Sequence, residues 1–561
     1  MHGTEKTFVA ALLATAATLA FAAEAAGKPA SDGTSAAPSA ESQIQALENQ
    51  IQDLSAQVRD LKRSTSDQYT DVQRTVADSQ TSAIKISLDG GRPTISTADG
   101  NFTAAIRTLA QLDWGAYSQS SAAASLPAAY GPDLSSGANF RRVYLGVQGK
   151  VFGDWSYNFN YDFGGSGGTE TPGHIQSVYL EYDGLGPLAF RVGAFPPPAN
   201  IEDGTSAGDT LFLERNSPSD LQRNIAGGDG RDAVTILYTG DRLFGALSYT
   251  GDKIADGAKA LAAAGATAAP VYGEQEAALG RLSYLPIATS DAHWLIGING
   301  SYVIRPPNSV PRGTATLATT PGATAKNSVT LSDPPELTID SNGIALASTG
   351  ALPANHVSQW GVETAGNFQN FYAQAGYYGF EVDRAPVAYK TYSSATATAT
   401  TIVQPNSNVF SGWYAEASWV LTGESRGYSP ATGAFTPPKP AHPFSLSKGE
   451  FGAFELAARY SDLDLNSHAL DSASVVTAWT GASNKTYTFT NTVRGGDQRI
   501  ATLGLNWYPN TAVRFALNYE WIEVSRLQAP ATVTTTGAPV LPTLNGGQNL
   551  RAIALRAQIG F

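Results

Sequence analysis

Residues 154–163 read DWSYNFNYDF, with Trp155, Tyr157, Phe159, Tyr161 and Phe163 on one parity and Asp154, Ser156, Asn158, Asn160 and Asp162 on the other. A period of two describes a strand with two unlike neighbours, one apolar and one wet. Five consecutive same-face aromatics are rare on a strand of a soluble sandwich. They are expected where strands cross a bilayer, because aromatic girdles sit at both lipid interfaces. The division recurs in FTAAIRTLAQLDW (102–114), GWYAEASWVL (412–421), AVRFALNYEWI (512–522) and the terminal LRAIALRAQIGF (550–561). In the last of these Ile553, Leu555, Ala557 and Ile559 alternate with Arg556 and Gln558, and the chain stops on Phe561.

Alternation of this kind predicts sixteen strands, at 102–114, 140–150, 154–163, 175–182, 188–194, 232–239, 243–250, 278–285, 293–303, 357–364, 370–380, 411–421, 451–460, 498–508, 512–522 and 551–561. Their connections alternate short with long, as periplasmic turns alternate with external loops in outer-membrane barrels. Residues 422–450 break the parity, a long Pro- and Gly-rich stretch on a short side that reads as a periplasmic excursion or a missed strand pair. The predicted fold is all-β, a 16-stranded antiparallel transmembrane barrel over 84–561 with both ends in the periplasm of the bacterial outer membrane. An open sheet edge would be intolerable in lipid, so the strand ending at Phe561 should close against the one beginning near Phe102. A barrel of this size is wide enough for an aqueous channel.

Composition excludes the competing classes. Only 15% of residues are charged, and the net charge of -12 argues against nucleic acid, which requires clustered cations. The absence of cysteine excludes disulfides, thiol catalysis and thiolate metal sites. The six histidines are scattered, and His356 near Ser358 is a coincidence of loop and strand; no enzyme, cofactor or metal site is expected.

Ahead of the barrel, Lys6 and the apolar run closing on Ala20-Phe21-Ala22 read as a signal peptide, 1–22. A flexible tail follows at 23–40, then a helical segment at 41–80. There Ile44, Leu47, Ile51, Leu54, Val58 and Leu61 recur at spacings of three and four, a heptad seam that predicts a short periplasmic coiled coil. The alternative is an amphipathic helix lying on the protein's own surface.

The blocks FRRVYLGVQGKVFGDWSYNFNYDF, LAFRVGAF, LFLERN, GWYAEASWVLTGESRGY, FGAFELAARYSDLDLN, LGLNWYPNTAVRFALNY and the final Phe resemble, in that order, the phosphate-selective porin O and P family over 84–561. The resemblance implies an outer-membrane porin, usually a homotrimer, with a loop folded into the lumen and cations guiding phosphate-type anions. Its first-strand arginine looks like Arg107, its paired arginines like Arg141 and Arg142, and its loop arginine like Arg215. The terminal Phe561 resembles the signal read by outer-membrane assembly machinery. Independently, alternation turns Arg107, Arg142, Arg191, Arg459, Arg514 and Arg556 toward the lumen, where guanidinium forks suit anions.

The loop 195–231 departs from the family pattern. It has no lysine, and Glu202, Asp203 and Glu214 are among the six acids that outnumber its three arginines. An acidic constriction would repel phosphate. The expectation is therefore a general or weakly anion-preferring channel for small solutes and ions, phosphate possible. The alternatives are a carbohydrate or organic-solute porin, and a structural outer-membrane tether using the coiled coil.

Overall fold

The computed structural model describes residues 39–81, 84–89, 91–119, 133–165, 173–254, 274–308, 327–394, 396–470, 475–480, 484–488, 490–528, 533–534, 544–545 and 547–561. The expected signal peptide and nearly all of the tail lie outside them. Two compact units are present, residues 1–80 and 81–561. In the first, helix α1 runs Ala40–Thr81, 42 residues, beyond the end of the predicted seam.

The second unit is built on sixteen antiparallel strands: β1 Thr103–Gln119, β2 Gly137–Val151, β3 Trp155–Asp162, β4 His174–Leu185, β5 Leu188–Ala194, β6 Arg231–Thr239, β7 Leu243–Lys253, β8 Glu276–Ala288, β9 Ala292–Arg305, β10 Leu352–Phe368, β11 Phe371–Arg384, β12 Asn408–Val420, β13 Ala453–Ser467, β14 Val493–Tyr508, β15 Val513–Ser525 and β16 Gln548–Gly560. Each predicted strand falls on one of them. Neighbours in sequence pair all the way round, and β16 returns to β1 in register from Leu109 opposite Gly560 to Gln119 opposite Leu550. Phe561 adds the last rung, exchanging backbone hydrogen bonds with Thr108 at 3.1 and 3.2 Å.

Closure sorts the two parities as read. On β3, Trp155, Phe159 and Phe163 just beyond it face outward, whereas Asn158, Asn160 and Asp162 are buried inside. On β16, Ile553, Leu555 and Ile559 face outward and Arg556 is buried inside. Residues 84–101, ahead of the first predicted strand, carry an extra hairpin joined to the barrel sheet, Ile84–Asp89 with Arg92–Thr97. It pairs with Thr103–Ala105, the part of β1 that lies beyond the end of β16 and would otherwise be an open edge.

Three connections fold inward. Residues 195–231, between β5 and β6, carry two short helices, α2 Ile201–Gly204 and α3 Ser217–Ala226. Asn200 caps the first through Asp203 N at 2.8 Å, and Asn216 caps the second through Ser219 N at 2.9 Å, with a proline in the first turn of α3. Residues 327–349 form the second insert. The third is 422–450, whose small hairpin, Gly427–Ser429 with Ala434–Thr436, stays outside the barrel sheet, so no strand pair of the wall was missed, but the stretch expected to project into the periplasm folds into the lumen. It enters from the short-turn side and buries Ala434 and Phe435 against Ile201, Leu285 and Tyr372.

Candidate functional site

Glu214, at the centre of the 195–231 loop, ties that loop to the wall. Arg141 meets it in a fork, Nε to Oε1 at 2.8 Å and Nη2 to Oε2 at 3.1 Å. Arg142 donates to Oε2 at 3.3 Å, and Arg556 donates to Oε1 at 2.8 Å while forking onto Asp113 at 2.7 Å twice. Burial alone would raise this carboxyl, but the three guanidiniums hold it well below the usual carboxylate range.

Strict alternation would turn either Arg141 or Arg142 outward. Both are buried in the lumen, at 5% and 4% exposure, because the β1–β2 ladder shifts register there: Gln111 faces Arg142, Leu112 faces Phe140, and Arg141 is the extra residue of the bulge. The extra residue shifts the alternation by one, so Phe140 before it and Leu145 after it both face outward while the two arginines both face in.

The other candidates separate into two groups. Arg191 is paired with Glu181 at 2.6 Å and lies over the Tyr179 ring at 4.3 Å. Asp203 binds Arg223, which also holds Asp229 at 2.6 Å, and those contacts keep Asp229 low despite burial. Arg215 donates only to the carbonyls of Glu202 and Thr205, at 3.1 and 3.3 Å, and Arg514 to those of Thr210 and Leu211 and to Asn506. Arg107 is half-buried on the luminal parity. Among the described residues Arg107, Arg215 and Arg514 have no carboxylate in ion-pair contact. Glu202, expected as a constriction acid, is buried and accepts from Gln374 at 2.8 Å, with burial pushing its carboxyl up. The loop acids therefore act chiefly as anchors, not as a ring of free charge.

Sequence reasoning missed Glu336 of the second insert. Its backbone sits in the left-handed region, φ 51°, and its carboxylate accepts from Ser217 N at 2.8 Å and from Arg459 and Ser461 on β13 at 2.5 Å each. One residue thus joins both inward loops to the wall. Its loop had no alternation or motif to mark it.

Polar cavities lie among the described residues. One, of about 570 Å³, lies toward the long-loop side and is lined by Arg141, Arg142, Arg215, Arg223, Arg231 and Lys253, together with six acids, Glu214, Asp220, Asp229, Asp252, Asp333 and Glu336. Another, of about 610 Å³, lies at the short-turn end and is lined by Arg92, Lys150, Glu181, Tyr157 and Tyr179 among others. Asp333 is buried, and with Asp220 and Glu336 nearby its carboxyl is held well above the ordinary range.

Opposite linkages follow for the two inserts. Asp333, raised in the folded state, favours docking of 327–349 at low pH and loses that contribution as pH rises through its elevated folded value. Glu214 and Asp229, depressed, contribute above the unfolded carboxylate range and lose their contribution as pH falls. Asp333→Asn is therefore expected to abolish an alkaline rise in open-channel noise that the parent shows in single-channel recordings. A parent insensitive to alkaline pH would refute this.

The profile of the family described as phosphate-selective porin O and P matches residues 125–282 and 311–539. Porin O of Pseudomonas aeruginosa is 25% identical over 397 residues, 68% of this chain and 76% of that protein. Among solved structures, the trimer form of OmpT from Vibrio cholerae aligns at TM-score 0.40 and 10% identity, covering 82% of this chain and 99% of that one. The anion-selective porin of Comamonas acidovorans aligns at 0.40 and 9%, covering 82% and 99%. The profile spans most of the chain, including the inward loop 195–231, and the closed sixteen-strand barrel stands on its own geometry. This outer-membrane channel belongs to the phosphate-selective porin O and P family.

Proposed function

We propose that this porin conducts small hydrophilic solutes by passive diffusion with a weak preference for anions, phosphate among them, and holds no high-affinity phosphate site. The observation that carries this reading is the matched set of side chains in the cavity toward the long-loop side, six basic against six acidic. Tight anion capture needs fixed donors that are not already engaged by carboxylates. The preference rests on Arg107, Arg215 and Arg514, whose charges have no acid in ion-pair contact among the described residues, with Arg141, Arg142 and Arg191 contributing field through their paired guanidiniums. A sugar slide has less support, since the luminal rings of Tyr372, Tyr378 and Tyr414 are buried.

Reversal potentials in a KCl gradient across a planar bilayer test the proposal. Mild anion selectivity is expected, with phosphate reducing chloride current only at millimolar levels. Cation selectivity would overturn the preference, and micromolar phosphate block would overturn the low-affinity reading.

The homotrimer belongs to the same reading. An outward groove lined by Ala373, Ala375, Ala415, Ala417 and Ala458 between Trp294 and Tyr460 would admit a neighbouring barrel closely. Recognition of Phe561 by assembly machinery fits its place at the end of the closing strand.

A further inference from the structure

We infer that α1 assembles in parallel with the same helix of other copies of this chain, adding a coiled-coil clasp to the contacts between barrels. The seam residues Ile44, Leu47, Ile51, Leu54, Val58 and Leu61 are 55, 57, 61, 61, 59 and 70% exposed, so nothing described within their own unit covers them. The same register is interrupted by Thr65 and Gln68 and meets one further apolar residue at Val72, also 59% exposed. Six large apolar side chains on one narrow stripe of a helix in water require a partner.

The rest of the helix says which partner. Its acids outnumber its bases seven to four, and Tyr69 is its one aromatic residue. A helix that lies on a lipid surface needs a basic polar face and a wide apolar one carrying Trp or Phe. The stripe instead has β-branched residues at the first position, Ile44, Ile51 and Val58, and leucines at the fourth, Leu47, Leu54 and Leu61, the pattern that packs knobs into holes against an identical helix.

The flanking positions allow the parallel register. On one side stand Gln43, Gln50 and Gln57, and the residues they would meet on a partner are Glu48, Ser55 and Lys62, with no like charges opposed. Barrels inserted in one membrane with one orientation present their helices in parallel. The same identity of the chains brings each leucine opposite its own copy.

The chain has no cysteine, which permits a clean test on the full-length porin in native outer membranes. Leu47→Cys, Leu54→Cys and Leu61→Cys are made singly, with Ala56→Cys, on the opposite face, as control. Under mild oxidation each of the three seam variants is expected to give a disulfide-linked species of two chains, and Ala56→Cys is not. Cross-linking at Leu54 without Leu47 and Leu61 would overturn the parallel register. Equal cross-linking at Ala56, none at any site, or linkage to a different protein would overturn the assembly itself.

Discussion

Glu214→Gln is expected to loosen the constriction loop and make the channel more anion-selective. The substitution keeps the side chain's shape and removes the charge that Arg141, Arg142 and Arg556 share. Removing one partner of a buried ion pair costs about 3–5 kcal/mol, because the remaining charge stays desolvated without its counter-ion. Arg556 retains Asp113, whereas Arg141 loses both arms of the fork it makes on Glu214. The temperature at which the folded band disappears on electrophoresis should drop. The KCl reversal potential should move toward the anion limit. Arg141→Met should be milder in stability, since Glu214 keeps two guanidiniums, and should shift selectivity the opposite way. Unchanged melting and selectivity in Glu214→Gln would refute the clamp.

The barrel was legible because its determinants are local and repeated. Alternation on β3 or β15 is a property of ten consecutive residues, and a bilayer enforces it on every strand. The lumen was less legible because its contacts join residues far apart in sequence through loops that obey no period. Arg556 was correctly turned inward, but nothing in LRAIALRAQIGF indicates that it reaches a loop carboxylate 342 residues away. Arg141 shows the limit of alternation, since a single bulge reverses the side on which a residue falls. The six acids of 195–231 looked like a repulsive ring when counted, whereas three of them, Asp203, Glu214 and Asp229, are paired with arginines. Charge composition gives the inventory of a pore, and pairing decides which charges an ion meets.

The excursion 422–450 was visible only as a break in parity, and its effect rests on Arg281 of β8. That guanidinium pairs with Glu363 of β10 at 2.7 Å and donates to the carbonyls of Thr432 and Gly433 at 2.9 and 2.7 Å, and both charged side chains are fully buried. Glu363 in turn accepts from Ile201 N of the constriction loop at 2.9 Å. One pair therefore fixes the excursion and the constriction loop to the wall. Arg281→Leu should release the excursion tip and raise conductance, at a stability cost of about 3–5 kcal/mol for leaving Glu363 buried without its cation. Gly433→Ala separates the two effects. Gly433 holds φ 56° against Phe244 and Ser283, and a Cβ there would come within 2.9 Å of both. The left-handed backbone costs a non-glycine residue about 1–2 kcal/mol, and the contact adds to it. This variant should also raise conductance, by expelling the tip, yet melt closer to the parent because Arg281 and Glu363 remain paired. Conductance unchanged in both variants would mean that the excursion does not obstruct the path of ions.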